Sequence, residues 1–205
     1  MTTAEFDKFH YCPIFVREGE DVMEDKCYSI KEKIETERLI IRHPERKDAK
    51  KCFKNFYHDK ELLRFEDWCY CDSVEAAEWM IDFDPLGDYW ILELKDTHDI
   101  IGCVEYYDDH YPNLHGILIG WILGKKFQHK GYMTEAVKAL NDSYLNSEQG
   151  RYIDFISCQY NSANTASEGI CRRTGFVEEA RLKNRRVDME TMQLCDLVIC
   201  TIHNR

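Results

Sequence analysis

Gln128-His129-Lys130-Gly131-Tyr132-Met133, followed at once by Thr134-Glu135-Ala136-Val137, is the stretch of this chain best equipped for chemistry. It lies between an apolar strand-like run, Ile117 to Leu123, and a run with helical periodicity. A strand that ends in a glycine-bearing turn and opens straight into a helix leaves backbone N–H groups free at the positive end of the helix dipole. Such a corner binds phosphate. Its spacing is neither the GxxxxGK(S/T) of a nucleotide P-loop nor the GxGxxG of a dinucleotide fold.

The elements that must position this corner are legible on both sides of it. Arg38 to Arg42 has β character. Ala49, Cys52, Phe53 and Phe56, three and four apart, predict a helix over Asp48 to His58. Ser73 is a candidate N-cap for a second helix through Val74, Ala77 and Met80, with Ala76 and Ile81 widening its apolar face. Tyr89 to Leu94, Ile100 to Tyr107 and His115 to Leu123 read as strands, joined by a tight turn at Asp96-Thr97-His98-Asp99 and a looser one over Asp108 to Asn113. Beyond the corner, Met133, Ala136, Val137, Leu140 and Tyr144 share one helical face, and Gly150 is expected to stop that helix. Tyr152 to Cys158 returns as a strand. A short helix runs from about Ala163 to Arg173 and ends at Gly175, after which Phe176 to Val187 and Glu190 to Ile202 form a hairpin. The order predicts an α/β mixed sheet without internal repeat. Residues 1–34 have no clear period and read as an N-terminal extension to a domain of residues 35–205.

Composition narrows the class. A chain of 205 residues, 44% hydrophobic and 13% aromatic, suits one globular domain with a full core. No run of eighteen apolar residues occurs, so no membrane span is expected. Met1 to His10 lacks the basic flank and apolar stretch of a signal peptide, which suggests a cytoplasmic protein. The ten cysteines contain no CxxC pair; they read as reduced thiols acting as small hydrophobes, and no metal is expected. The net charge of −11 argues against nucleic-acid binding through a basic face and suits cationic acceptors. The acidic segment from Glu66 and Asp67 through Asp72 and Glu75 is a candidate lining for an acceptor cleft or a solvated helical face. The oligomeric state is open between monomer and homodimer.

Three motifs in order resemble the GNAT acetyltransferases. Gln128 to Met133 is similar to their (R/Q)-x-x-G-x-(G/A) pyrophosphate loop. Asn164-Thr165-Ala166-Ser167 through Gly175-Phe176 resembles the N-x-x-(A/S)-x₇-G-F signature that follows it. Glu35-Thr36-Glu37-Arg38-Leu39-Ile40-Ile41-Arg42 resembles the E-T-x-R-L-x-L-R opening strand of the branch that contains ribosomal-protein N-acetyltransferases. The resemblance covers about Glu35 to Ile202. It implies a GNAT-type mixed, mostly antiparallel twisted sheet flanked by helices and splayed at the fourth and fifth predicted strands, His115–Leu123 and Tyr152–Cys158, by a bulge in the former. It further implies an N-acetyltransferase that moves an acetyl group from acetyl-coenzyme A, its cosubstrate, to a primary amine on a small molecule or protein N-terminus. The mechanism it implies is direct attack, without a covalent enzyme intermediate.

The same resemblance distributes roles. Backbone groups of Phe127, Gln128, His129, Lys130, Gly131, Tyr132, Met133 and Thr134 would hold the diphosphate. Backbone N–H groups of Trp121, Ile122 and Leu123 would polarise the thioester carbonyl, and Asn164 would contact the pantetheine arm. Ser167 is the candidate donor to the departing sulfur, with Cys171, where many relatives carry a tyrosine, as the competing one. Relatives often carry a glutamate in E-I-G-Y on the fourth strand; this chain reads Leu118-Ile119-Gly120-Trp121. Glu105 and His115 remain as candidates for the base, and an acyl-coenzyme A-binding sensor with impaired catalysis is the alternative function.

Overall fold

Tyr89 to Leu94 is apolar at nearly every position, and a strand of that kind must be covered on both faces. In the computed structural model, which describes residues 33–65, 69–82, 88–111 and 114–204, it lies inside an eight-stranded sheet of order β1-β2-β3-β4-β5-β6-β8-β7. The strands are β1 Lys33–Glu35, β2 Leu39–Arg42, β3 Tyr89–Leu94, β4 Ile100–Tyr111, β5 Leu114–Leu123, β6 Phe155–Asn161, β7 Val177–Val187 and β8 Leu194–His203. Every pairing is antiparallel except β5 with β6. The mixed, mostly antiparallel GNAT-type sheet is therefore present. Most of the N-terminal extension, the Glu66-Asp67 pair and the Pro112-Asn113 turn lie outside the described residues.

The sheet has a core on each face. Helices α3 (Tyr132–Leu145) and α4 (Thr165–Thr174) cover one, burying Ala136, Val137 and Leu140 against Trp90, Leu92, Ile101, Ile117, Ile119 and Ile156. On the other, α1 (Ala49–Cys52) and α2 (Val74–Asp82) pack against Ile91, Ile100, Cys103 and Ile122. Alternation along β5 explains the division: odd positions face α3, even positions face α1 and α2. Ser73 caps α2, its Oγ accepting from the Ala76 N–H at 3.1 Å.

Some boundaries differ from the sequence reading, each for a local reason. The first helix continues past Cys52 as a π-turn over Phe53–Tyr57. β4 runs to Tyr111, because Asp108 to His110 pair with β5 instead of turning; polar residues on both faces leave no period to read. α3 ends at Leu145 with Asn146 as its cap, not at Gly150. Gly150 belongs to the next turn, where a Cβ would meet the carbonyl oxygens of Leu145 and Tyr144 at 2.3 and 2.5 Å. That turn takes in Tyr152, so β6 starts at Phe155. Among the described residues no helix is long and apolar enough to cross a membrane.

Candidate functional site

The opening that makes the site is a matter of register. β5 and β6 pair from Gly116↔Phe155 to Ile119↔Cys158 and then part, although β5 runs on to Leu123 and β6 to Asn161. The outer strands do not part: β4 stays paired to Leu123 and β8 to Asn161. The β4–β5 ladder runs without a register shift, so the splay comes from lost pairing and not from the expected bulge in β5. The Gly124 N–H donates to Ile101 O at 2.9 Å, and hydrogen bonds to one neighbour alternate along an antiparallel strand. The N–H groups of Gly124, Ile122 and Gly120 thus face β4, while those of Trp121 and Leu123 face the gap. Of the three expected carbonyl-binding positions, the ladder turns Ile122 the wrong way.

The corner between β5 and α3 sits at the mouth of this gap. The Phe127 and Gln128 N–H groups are engaged in a turn, donating to Gly124 O and Lys125 O, and the Phe127 side chain is buried. These two are therefore not free to hold a ligand through N–H. The Gln128 side chain instead fixes the end of β5, its Nε2 donating to Leu123 O at 3.1 Å. His129 at φ 61° and Gly131 at φ 81° are both left-handed. Histidine is among the non-glycine residues that visit this region, which accounts for its standing where relatives often carry glycine. Left-handed residues next to the orphan N–H groups at the start of α3 make a backbone concavity of the kind that suits an anion.

Arg38 holds the corner from behind. Its Nη1 donates to Lys130 O at 2.8 Å, its Nε donates to Glu135 Oε2 at 2.7 Å, and its guanidinium lies 4.5 Å from the centre of the Tyr132 ring. Glu135 also accepts from the Arg38 N–H at 3.0 Å and from Thr36 Oγ1 at 2.6 Å. The opening-strand motif and the corner before α3 are thus one hydrogen-bonded unit. Burial pushes the Glu135 carboxyl upward, but the bonds from Thr36 and Arg38 outweigh it and hold the group below its ordinary value. A carboxyl depressed in the folded state stabilises the protein above its unfolded pKa, about 4.3, and that contribution disappears as pH falls through the folded value. Glu135→Gln is expected to flatten the acid side of a Tm-against-pH profile below about pH 4, and an unchanged profile would refute the linkage.

α4 supplies the other wall. Asn164 caps it, Oδ1 accepting from the Ser167 N–H at 3.1 Å, and Gly175 closes it at φ 91°. Arg173, which the sequence reading passed over, donates from Nε to Thr134 Oγ1 at 3.1 Å and so bridges α4 to the start of α3. A groove of about 720 Å³ joins all these parts. Trp121, Ile122, Leu123, Gln128, His129, Gly131, Tyr132, Met133, Thr134, Asn164 and Ser167 line it with Arg173 and the segment Glu61 to Phe65. Phe127 and Lys130 do not. The Glu61–Phe65 segment carried no period to mark it; the β7–β8 turn holds it, through an Arg64–Glu190 ion pair and a Met189 N–H donated to Arg64 O at 3.2 Å.

The remaining candidates separate clearly. His115 is exposed at the start of β5, five residues before Gly120 and so roughly 17 Å away along the strand; its N–H donates to Asp154 at 2.9 Å. It is not at the site. Cys171 is on the buried face of α4 with its Sγ 3.1 Å from Cys158 Sγ, and it is absent from the groove lining. Glu105 does not line the groove either; it lies directly across from Gly120 on β4, where a Cβ on Gly120 would meet nothing within 4 Å. Tyr107 donates its hydroxyl to the Glu105 carboxylate. Burial and the Glu105 charge push the Tyr107 hydroxyl well above its ordinary value, so it stays a donor. Burial likewise raises Tyr57, Tyr89 and Cys103 around them.

Residues 38–177 match the family model described as an acetyltransferase (GNAT) domain. The chain is 28% identical over 163 residues to the ribosomal protein uS5-alanine N-acetyltransferase of Escherichia coli (strain K12), covering 75% of this chain and 82% of that protein. Its fold superposes with a TM-score of 0.72 on an acetyltransferase (GNAT family) from Bacillus anthracis, at 19% identity over 84% of this chain and 98% of that one. A ribosomal L7/L12 α-N-protein acetyltransferase in complex with coenzyme A superposes at 0.71, with 19% identity and the same coverage of both chains.

Proposed function

The chain belongs to the GNAT acetyltransferase family and is an acyl-coenzyme A-dependent acetyltransferase, and from that premise we propose that it acetylates the α-amine of a polypeptide by direct attack on acetyl-coenzyme A. The observation that carries this reading is the continuous groove running from the left-handed corner to the β5–β6 gap. The residues present fit the cofactor. The corner before α3 and Arg173 suit its diphosphate, and the gap is edged by N–H groups of Trp121 and Leu123 that match a thioester carbonyl. The names of the relatives support a protein acceptor. So does chemistry, because an α-amine with a pKa near 8 yields its free base far more readily than a lysine near 10.4.

In this mechanism the amine enters from the α1–α2 face of the sheet beside Gly120, and Glu105 takes its proton directly or through one water. The amine nitrogen attacks the thioester carbon while the gap-facing N–H groups receive the developing oxyanion. Collapse breaks the C–S bond, and Ser167 donates a hydrogen bond to the departing sulfur. Ser167→Ala is expected to lower kcat by about 10², the low end for acid–base assistance, with a smaller rise in KM for acetyl-coenzyme A. Cys171→Ala is expected to leave kcat nearly unchanged. Steady-state kinetics on both variants decides between them, and full activity in Ser167→Ala removes the serine.

The reading as a whole is tested by turnover of acetyl-coenzyme A against peptides with free α-amines, lysine analogues and small amines, with cofactor binding measured in parallel. Preference for free α-amines supports the proposal, and preference for small amines overturns the acceptor class. Leu118, standing where relatives often carry glutamate, favours the alternative of a sensor, which would show binding without turnover.

A further inference from the structure

Three thiols that lie far apart in the sequence meet behind α4. Cys158 on β6 pairs directly with Cys200 on β8, and Cys171 descends from α4 onto the same spot. Their Sγ atoms all lie within 4.8 Å of one another, and the residues are only 2%, 2% and 3% exposed. We propose that Cys158, Cys171 and Cys200 form a three-thiolate site for a soft trivalent ion of the arsenite class.

Geometry and charge both select this ligand. A trivalent arsenic with three bonds to sulfur of about 2.3 Å, as long as those zinc makes, at pyramidal angles of about 95° holds its sulfurs about 3.4 Å apart; the Cys158 and Cys171 sulfurs, 3.1 Å apart, are already close to that, and the others, all within 4.8 Å, reach it by shifts of up to about 1.4 Å. Sulfur donors favour soft ions over hard ones. The surroundings are apolar: Val198, Ile170 and Ile156 belong to the same buried core. Tyr160 offers the nearest polar group described, its hydroxyl 4.0 Å from Cys200 Sγ. Among the described residues the cluster has three ligands, whereas structural zinc takes four. Three thiolates around a divalent ion would leave one uncompensated negative charge in that core, at high desolvation cost; around a trivalent ion they leave none.

The exchange balances without redox chemistry. Arsenous acid, As(OH)₃, and three thiols give As(SR)₃ and three waters. Three As–O bonds break, three As–S bonds form, each thiol proton leaves with a hydroxide, and arsenic stays trivalent. Entry to so buried a cluster requires local opening of α4. Cys171 lies one turn beyond Ser167 on that helix, so occupancy ties α4 to β6 and β8 from behind the groove without entering it.

The test titrates the reduced full-length protein with arsenite and reads near-ultraviolet As–S absorption, with native mass spectrometry for stoichiometry. One bound arsenic is expected, with loss of three protons. Differential alkylation of the wild-type protein should find Cys158, Cys171 and Cys200 protected, a measurement that needs no variant. Cys158→Ala and Cys200→Ala should each lose the bound equivalent while keeping coenzyme A affinity; Cys103→Ala, in the core of the opposite face, should keep it. Absence of a stoichiometric complex, protection of other cysteines instead, or unchanged binding in both variants would overturn the site. Tighter binding of zinc than of arsenite by the same thiols would overturn the choice of ion.

Discussion

Gly131→Asp is expected to leave the protein folded and to weaken coenzyme A binding by about 10²-fold, or about 2.7 kcal/mol. Two effects contribute, and the structure separates them. Gly131 sits at φ 81°, where an L side chain costs about 1–2 kcal/mol. Bulk adds little, since a Cβ there would meet only Arg38 Nη2 at an ordinary 3.5 Å. The larger share is charge: a carboxylate at the start of α3 would satisfy the helix terminus that the diphosphate needs, and would repel the diphosphate itself. Aspartate is a favoured N-cap, so folding should survive. Gly131→Ala reports the strain alone, and Gly131→Asn keeps the shape without the charge. Calorimetric titration with coenzyme A should rank affinity as glycine, then alanine and asparagine together, then aspartate well below. Equal affinity across the series would mean that the diphosphate binds elsewhere.

The corner was legible because it is local: strand, turn and helix follow one another within twenty residues, and each has its own period or breaker. α3 was legible for the same reason: its buried apolar positions, Met133, Ala136, Val137, Leu140 and Tyr144, are those its periodicity marks, and only the buried polar Asn141 was missed. Features that depend on register were hidden. The end of β5–β6 pairing at Ile119↔Cys158 has no residue signature, because both strands continue as apolar runs. Strand direction also had to be resolved before His115 and Trp121 could be told apart as far and near. Register likewise hid the tether, since Arg38 reaches a carbonyl 92 residues away. The cysteine cluster is the sharpest case. Scattered spacing argued against any grouping, yet one cross-strand pair and one helix face bring three thiols together. Spacing rules detect ligands carried by one loop; they are blind to ligands assembled by a sheet.

Glu105 illustrates how parity recovers part of what spacing misses, and Glu105→Gln carries the largest expected effect. Once β4 and β5 are paired, Glu105 and Gly120 are opposite residues, and both point to the α1–α2 face, from which an acceptor would reach the gap. Leu118, the position where relatives often carry glutamate, is two residues along β5 on the same face, so the chain presents its carboxylate from the neighbouring strand. The hydroxyls of Tyr57, Tyr89 and Tyr107 and the thiol of Cys103 are all raised by burial and so keep their protons, and the proposed mechanism therefore assigns proton removal to the carboxylate. Glu105→Gln should lower kcat/KM for the amine by about 10²–10⁴-fold with coenzyme A affinity unchanged. A base works only when ionised, so the wild-type rate should rise through the carboxylate's titration on the acid side, and the glutamine variant should lack that limb. Adding Leu118→Glu to the Glu105→Gln background restores a carboxylate to the same face and should recover part of the rate together with the limb. A glutamine variant with full kcat/KM and an unaltered acid limb would transfer proton removal to solvent and leave Glu105 a structural partner of Tyr107.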